Sequence, residues 1–251
     1  MTTSAMTSRA TALRALACLD LTDLADSTSQ EEATRLIARG QTAYGPVAAI
    51  CIWPAFVSGA AQRLRGSKIR LATVINFPAG GEDIERAVED ARQALRDGAN
   101  EIDLVMPWRA LLGGDPALPR AMIEAVTQCL PSGHRLKVII ESGELKDPAF
   151  IDAASRIAIE AGAHFIKTST GKTPISATPA AARVMLKAIK DMGKPVGFKA
   201  SGGVRTLADA QVYLDLADEI MGPDWATPET FRFGASGLLD ALLAALQEDG
   251  A

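Results

Sequence analysis

A chain of 251 residues, 48% of them hydrophobic, has ample material for a large core, which excludes a disordered chain. A formal net charge of −4 and a pI near 5.3 imply no basic face and argue against a nucleic-acid binder. Cys18, Cys51 and Cys129 are odd in number and widely spaced, with no CxxC pair. They read as reduced thiols of a cytoplasmic protein, and with only His134 and His164 beside them no metal site is expected.

The segment Met1 to Arg9 is rich in Ser and Thr and lacks the apolar stretch of a secretory signal. No apolar run approaches the ~20 residues needed to span a bilayer. A short helical pattern from Arg9 to Ala17 leads into a first strand over Cys18–Thr22. Ser29 with Glu32 three residues on is a capping-box signature for a helix ending near Gly40. The uninterrupted apolar run Val47–Trp53 predicts a second strand buried on both faces; Pro54 stops it, and a helix follows to about Arg65. Ile69–Ile75 is a third strand, closed by Asn76-Phe77-Pro78 and a Gly80-Gly81 turn. A helix over Glu82–Asp97 follows, with acidic residues early and Gly98 at its end.

The pattern repeats. Glu101–Met106 is the fourth strand, followed by a Gly113-Gly114 loop and a helix from about Pro116 to Leu130. Arg135–Glu141 is the fifth, and Asp147-Pro148 opens the next helix at its N-cap and first turn. The stretch His164–Lys172 carries the sixth strand, and Thr178-Pro179 begins its helix in the same way. Pro195–Ser201 is the seventh strand, with a helix over Thr206–Ile220; Phe231–Ser236 is the eighth, with a closing helix over Leu238–Gln247. Eight strand–helix units without a break in composition predict an α/β fold, a single (β/α)8 TIM barrel over residues 1–251 with a short N-terminal helical extension. The rival is a doubly wound open sheet, which would usually show a glycine-rich dinucleotide turn after an early strand; none occurs there.

Chemistry concentrates around His164–Lys172, an apolar strand with Lys167 inside it, running into a Ser/Thr/Gly turn that ends on Lys172. A lysine in a buried strand loses hydration that neighbours seldom replace. It either snorkels to water or serves as an amine whose neutral form can attack a carbonyl. An internal echo sharpens the choice: Gly98-Ala-Asn-Glu-Ile-Asp103 and Gly162-Ala-His-Phe-Ile-Lys167 share a helix stop, a two-residue lead and a strand entry. Asp103 and Lys167 therefore occupy corresponding positions of strands four and six, and alternate strands of a barrel fill the same interior layer. Lys137 and Lys199 lie at similar depth on strands five and seven, although no lysine precedes Lys68. Two ammonium groups on adjacent strands repel, which lowers the pKa of one of them. Lys199 is thus expected to stay cationic and leave Lys167 neutral, with Asp103 pairing Lys199 and moving protons through a water. A purely structural ion pair is the other reading of Asp103 and Lys199. Lys137 reads as a partner of Glu141 or Asp103 that shapes the pocket, and Trp53, Trp108 and Trp225 read as packing.

The ends of strands seven and eight, Ser201-Gly202-Gly203 and Gly234-Ala-Ser236-Gly237, resemble the backbone cradles where barrels hold phosphate. With Gly171 and Lys172 added, they point to a phosphorylated substrate.

The chain resembles the deoxyribose-phosphate aldolases, class I aldolases, from about Leu16 to Leu242. The resemblance rests on Leu19–Thr22, Ala49–Pro54, Thr73–Pro78, Glu101–Pro107, Lys137–Glu141, Phe165–Lys172, Gly197–Arg205 and Arg232–Ser236. It implies Lys167 as the Schiff-base lysine, Asp103 and Lys199 as its proton-transfer partners, and a substrate pocket around Gly171, Lys172, Gly202, Gly203, Ser236 and Gly237. Asp20, Thr22 and Thr168 are expected to join that pocket. Where many relatives read Phe-Lys-Pro-Ala-Gly-Gly, this chain has Phe198-Lys-Ala-Ser-Gly-Gly203; where some end on a tyrosine-bearing tail, its last tyrosine is Tyr213. The implied reaction is reversible cleavage of 2-deoxy-D-ribose 5-phosphate to D-glyceraldehyde 3-phosphate and acetaldehyde, with no metal or organic cofactor. The implied partners are that sugar phosphate and acetaldehyde, without nucleic acid or membrane, and assembly into a homo-oligomer stays open. Another lysine-dependent sugar-phosphate lyase, or a catalytically silent barrel that binds sugar phosphates, are the alternatives.

Overall fold

Eight parallel strands close into a barrel, β1 (Leu19–Asp23), β2 (Ala49–Ile52), β3 (Arg70–Ile75), β4 (Glu101–Val105), β5 (Arg135–Ile139), β6 (Phe165–Lys167), β7 (Gly197–Ser201) and β8 (Phe231–Ala235). They pair in sequence order, and β8 returns to β1 through Leu19–Phe233, Asp20–Gly234 and Leu21–Ala235. This computed structural model of the chain describes residues 8–248. The Met1–Arg9 segment and the C-terminal end, read above from sequence, fall outside those residues except for Ser8 and Arg9 at one end and residues up to 248 at the other. No helix among the described residues is long and apolar enough to cross a membrane.

Five of the helices that follow the strands start on a side-chain cap. Ser29 accepts from Glu32 N while Glu32 accepts from Ser29 N, the reciprocal box expected from the sequence. Asp147 and Thr178 cap helices Pro148–Glu160 and Pro179–Met192, each with proline in the first turn. Thr206 and Asp209 form a second box at the head of helix Leu207–Met221. The echo before β4 and β6 has a backbone cause. Gly98 and Gly162 take φ of +104° and +97°, a left-handed turn that ends one helix and aims the chain into the next strand.

The core divides into two layers. Outward-facing strand residues such as Ile50, Ile102, Leu104, Val138, Ile166 and Phe198 pack under the helices as one large apolar cluster. Inside the barrel, β2 and β3 supply only small apolar groups, Ala49, Cys51, Ala72 and Val74. The other strands bring in the buried charges, together with Phe165, Gly197 and Gly234. The N-terminal helix Ser8–Ala17 lies against helices Leu207–Met221 and Leu238–Glu248, where Arg14 grips Asp218 with contacts of 2.7 and 2.5 Å. Three elements have no counterpart in the sequence-based elements: one-turn helices at Trp108–Leu112 and Ser142–Leu145, and a ribbon pairing Gln41–Thr42 with Gly45–Pro46.

Candidate active site

Strand alternation and register build the site. Asp103 lies beside Lys137, Ile139 beside Lys167, Lys167 beside Lys199, and Lys199 beside Arg232. With period-2 alternation, these strands turn Glu101, Asp103, Lys137, Lys167, Lys199 and Arg232 into the barrel, and β1 adds Asp20. All seven are at most 2% exposed.

Asp103 is the hub. Its Oδ2 lies 2.8 Å from both Lys167 Nζ and Lys199 Nζ, and its Oδ1 accepts from Lys137 Nζ at 2.8 Å. Lys137 also reaches Glu101 at 2.7 Å and Asp20 at 3.4 Å, and Lys199 reaches Asp20 at 2.6 Å. Arg232 donates to Asp20 Oδ1 at 2.5 Å, to the two oxygens of Glu101 at 3.1 and 2.9 Å, and to the Pro228 carbonyl at 2.6 Å. Lys167 thus touches one carboxylate oxygen, which it shares with Lys199.

The electrostatics follow from those contacts. Burial pushes the Lys167 amine below the usual lysine range; Asp103 opposes this, and the neighbouring Lys199 charge adds to it. Burial also works against Lys199 and Lys137, but carboxylates overcome it and hold both above the ordinary value: Asp103 and Asp20 for Lys199, with Glu101 as well for Lys137. Burial would raise Asp103, yet the charges of Lys137, Lys167 and Lys199 hold it well below the usual carboxylate range. Cys51, buried beside this cluster, is pushed up by desolvation first and by Asp103 second, so it is held as a thiol.

Above the charged layer lies a cavity of about 330 Å³ at the C-terminal ends of the strands. It brings Gly171, Lys172, Gly202, Gly203, Ser236 and Gly237 together with Thr22, and its rim includes Arg205. Ser236 and Gly237, both in its lining, immediately precede helix Leu238–Glu248, so the cavity adjoins a helix N-terminus. Its floor includes Gly234, where a Cβ would stand 2.6 Å from Ser201 Oγ and 2.9 Å from Lys199 Cε; the cavity therefore rests on the Lys199 stem. Asp20 and Thr168, expected in the pocket, do not line this cavity. Asp20 is buried beneath it as a ligand of Lys199 and Arg232. The Thr168 hydroxyl is taken by the Ser201 backbone, donating to its carbonyl at 3.2 Å and accepting from its N–H at 3.0 Å. A second, more apolar cavity of about 230 Å³, lined by Ser142, Ile151, Ile175 and Val184, holds none of the buried charges.

Other residues also depart from the sequence reading. Glu141 does not reach Lys137; with φ of +54° it turns toward β6 and accepts from Thr170 N at 3.2 Å and Thr173 Oγ1 at 3.3 Å. Trp53, read as packing, does pack edge-on against Phe77, and Lys172 Nζ also lies 5.8 Å from its ring while paired to Asp26 at 2.8 Å. The sequence reading did not single out Glu101 and Arg232 as members of the network. The signal was present: Glu101 shares a strand face with Asp103, and Arg232 sits between Phe231 and Phe233 as Lys167 sits in its own apolar strand. Among the described residues, no group of three or more His, Cys, Asp and Glu side chains could hold a metal ion.

A family profile described as DeoC/LacD family aldolase matches residues 15–243. Among solved structures, the chain is similar to a Coccidioides immitis protein named provisionally as a deoxyribose-phosphate aldolase, at 28% identity over 96% of this chain and 87% of that one, with a TM-score of 0.82. A Toxoplasma gondii protein with the same provisional name matches at 24% identity, TM-score 0.87, over 96% and 97% of the two chains. The tetrameric deoxyribose phosphate aldolase from Aeropyrum pernix matches at 24% identity, TM-score 0.76, over 96% and 98%. At 24% identity the last two bear on the fold alone.

Proposed function

This chain belongs to the DeoC/LacD family of aldolases, and we propose that it reversibly cleaves 2-deoxy-D-ribose 5-phosphate to D-glyceraldehyde 3-phosphate and acetaldehyde through a Schiff base on Lys167. The observation that carries this is the pairing of Lys167 and Lys199 on one Asp103 oxygen, 2.8 Å from each. One amine is driven toward neutrality beside another that keeps its proton, which is the requirement for an amine nucleophile with an acid at hand.

The lone pair of Lys167 Nζ attacks the C1 aldehyde carbon, and Lys199 protonates the departing hydroxyl as water leaves. The resulting iminium withdraws electrons from the C2–C3 bond. A water poised by Asp103 and Lys199 takes the C3 hydroxyl proton. That proton ends on Lys199 rather than Asp103, because three neighbouring cations make the Asp103 carboxylate a weak base. The C2–C3 bond breaks, C3 becomes the aldehyde of glyceraldehyde 3-phosphate, and the electrons form an enamine on Lys167. Protonation at C2 and hydrolysis release acetaldehyde and restore the amine.

The cavity bounded by Gly171, Lys172, Gly202, Gly203 and Ser236 supports a phosphate at the far end of the substrate. A cytoplasmic setting is in keeping with Cys18, Cys51 and Cys129, all unpaired. The A. pernix relative is a tetramer, which supports testing this chain for self-association. The reaction is tested by incubating purified protein, before and after exhaustive EDTA treatment, with deoxyribose 5-phosphate and assaying both products. Stoichiometric acetaldehyde and glyceraldehyde 3-phosphate are expected in each case. Binding without turnover would replace this reading with that of a sugar-phosphate-binding barrel.

A further inference from the structure

The buried ion-pair network inside the barrel does not balance if every group carries its ordinary charge. Three carboxylates, Asp20, Glu101 and Asp103, face four basic groups, Lys137, Lys167, Lys199 and Arg232. A net charge with no access to water is costly, so such a cluster sheds the excess as a proton. Arg232 cannot supply that proton, because a guanidinium stays charged at any usable pH. Lys137 contacts all three carboxylates and Lys199 contacts two, whereas Lys167 contacts Asp103 alone. The proton that leaves is therefore the one on Lys167.

We propose that Arg232 is a positioning residue for the reaction, whose permanent charge on Asp20 and Glu101 makes the proton on Lys167 the surplus one. This rests on Lys167 being the nucleophile. Without Arg232, three carboxylates would face three lysines and the interior would balance with Lys167 protonated and unreactive. The contacts of Arg232 fit that role. It occupies Asp20 Oδ1 and both oxygens of Glu101, leaving Asp20 Oδ2 to Lys199 and a share of Glu101 Oε2 to Lys137. Arg232 touches neither Lys167 nor the cavity above it, so its influence on the amine is electrostatic.

The other titratable groups around the network do not alter the count between variants. β2 contributes Cys51, held as a thiol, and β3 contributes Ala72 and Val74, with Arg70 at the lower end of the same strand donating to the Gly133 carbonyl. Glu141, beyond β5, is bonded to Thr170 and Thr173. Arg135 and His164 lie at the lower end, where Arg135 and Arg232 stand 5.8 and 5.4 Å from the Phe165 ring centroid and His164 Nδ1 accepts from Leu136 N.

The test follows the pH dependence of labelling at Lys167 by acetaldehyde and cyanoborohydride, read by peptide mass mapping between about pH 5 and 9. Acetaldehyde does not ionise, so the acid-side midpoint reports the enzyme. Arg232→Met should move that midpoint up by about 1 pH unit, the effect of one charge roughly 10 Å away, two strand spacings, at an effective dielectric near ~20. Glu101→Gln should move it down, the Arg232→Met/Glu101→Gln double variant should return it toward wild type, and Arg232→Lys should leave it in place. A merely structural arginine would not give shifts of opposite sign that cancel. Coincident midpoints in folded variants, or a double variant that stays displaced, overturn the proposal. If circular dichroism finds Arg232→Met unfolded, Glu101→Gln and Arg232→Lys decide, and an unmoved Glu101→Gln midpoint overturns it. Wild type labelled on a lysine other than Lys167 sinks the nucleophile assignment as well, whereas label on Lys167 with unmoved midpoints sinks only the role of Arg232.

Discussion

An arginine cannot stand in for Lys167, because a guanidinium does not become a neutral nucleophile at usable pH. Lys167→Arg should retain the far-ultraviolet dichroism of the wild type and lose turnover by at least ~1,000-fold; retained turnover would remove Lys167 from the chemistry. In the proposed reaction Lys172 acts by binding instead. It meets a part of the substrate that does not react, so Lys172→Ala should raise KM for deoxyribose 5-phosphate by about 1.5–3 kcal/mol in binding terms and leave unphosphorylated deoxyribose nearly unchanged. Asp26 holds the Lys172 ammonium at 2.8 Å and must yield it to a phosphate. Asp26→Asn should therefore lower KM for the phosphorylated substrate, although by no more than a few-fold, since Asp26 is largely exposed and water screens the pair. At this scale the sequence spoke where a charge interrupts an apolar strand, as at Asp103, Lys167 and Lys199. It put Asp20 in the substrate pocket and did not show its ion pairs, because these depend on Arg232 arriving from 212 positions away, as Glu101 depends on it across 131. No local pattern carries such a pairing.

Between residue and molecule, the turns after the strands hold the reactive layer in register. Gly234 on β8 lies so close to β7 that a methyl group would press on Ser201 Oγ and Lys199 Cε. Both are side-chain atoms that can shift, so Gly234→Ala should fold with a loss of about 1–3 kcal/mol measured by urea denaturation. Its kcat should fall by at least ~10-fold, because Lys199 is displaced from Asp103. An unchanged kcat would mean that the Lys199 position is not critical. Glu141 does comparable work on the β6 turn, tying Thr170 N and Thr173 Oγ1 to the end of β5. Seven of the eight strands were legible with nearly their true bounds, because short runs dominated by apolar residues recur between helix stops and turn signals; β6 was placed only within its stretch. The one-turn helices at Trp108–Leu112 and Ser142–Leu145 were not, since four or five residues are too few to display a helical period. The ribbon over Gln41–Pro46 pairs only two residues per strand and leaves no alternation to read.

For the whole molecule, the same interior charges govern the dependence of stability on pH. Asp20, Glu101 and Asp103 are depressed in the fold, so each contributes stability that is present above its unfolded pKa of about 4 and is lost as pH falls through the lower folded value. Lys137 and Lys199 are raised, so their contribution is present below about pH 10 and is lost as pH rises through the folded values. Lys167 has the opposite sign. Its depressed value means that the unfolded chain takes up its proton first as pH falls below about 10, and stability declines until the folded amine is protonated too. Urea midpoints should therefore decline as pH falls from about 10 toward neutrality, on account of Lys167, and drop steeply below about pH 4, on account of the carboxylates. A midpoint indifferent to acid would mean that the buried carboxylates are not ionised.

The central claim is that Lys167 forms the covalent intermediate, and the most direct measurement is reduction of the protein with borohydride in the presence of acetaldehyde, followed by peptide mass mapping. An ethyl group is expected on Lys167 and on no other buried lysine, and it should vanish in Lys167→Arg. Label on Lys137 or Lys199 instead, or full turnover with no trapped adduct, would contradict it.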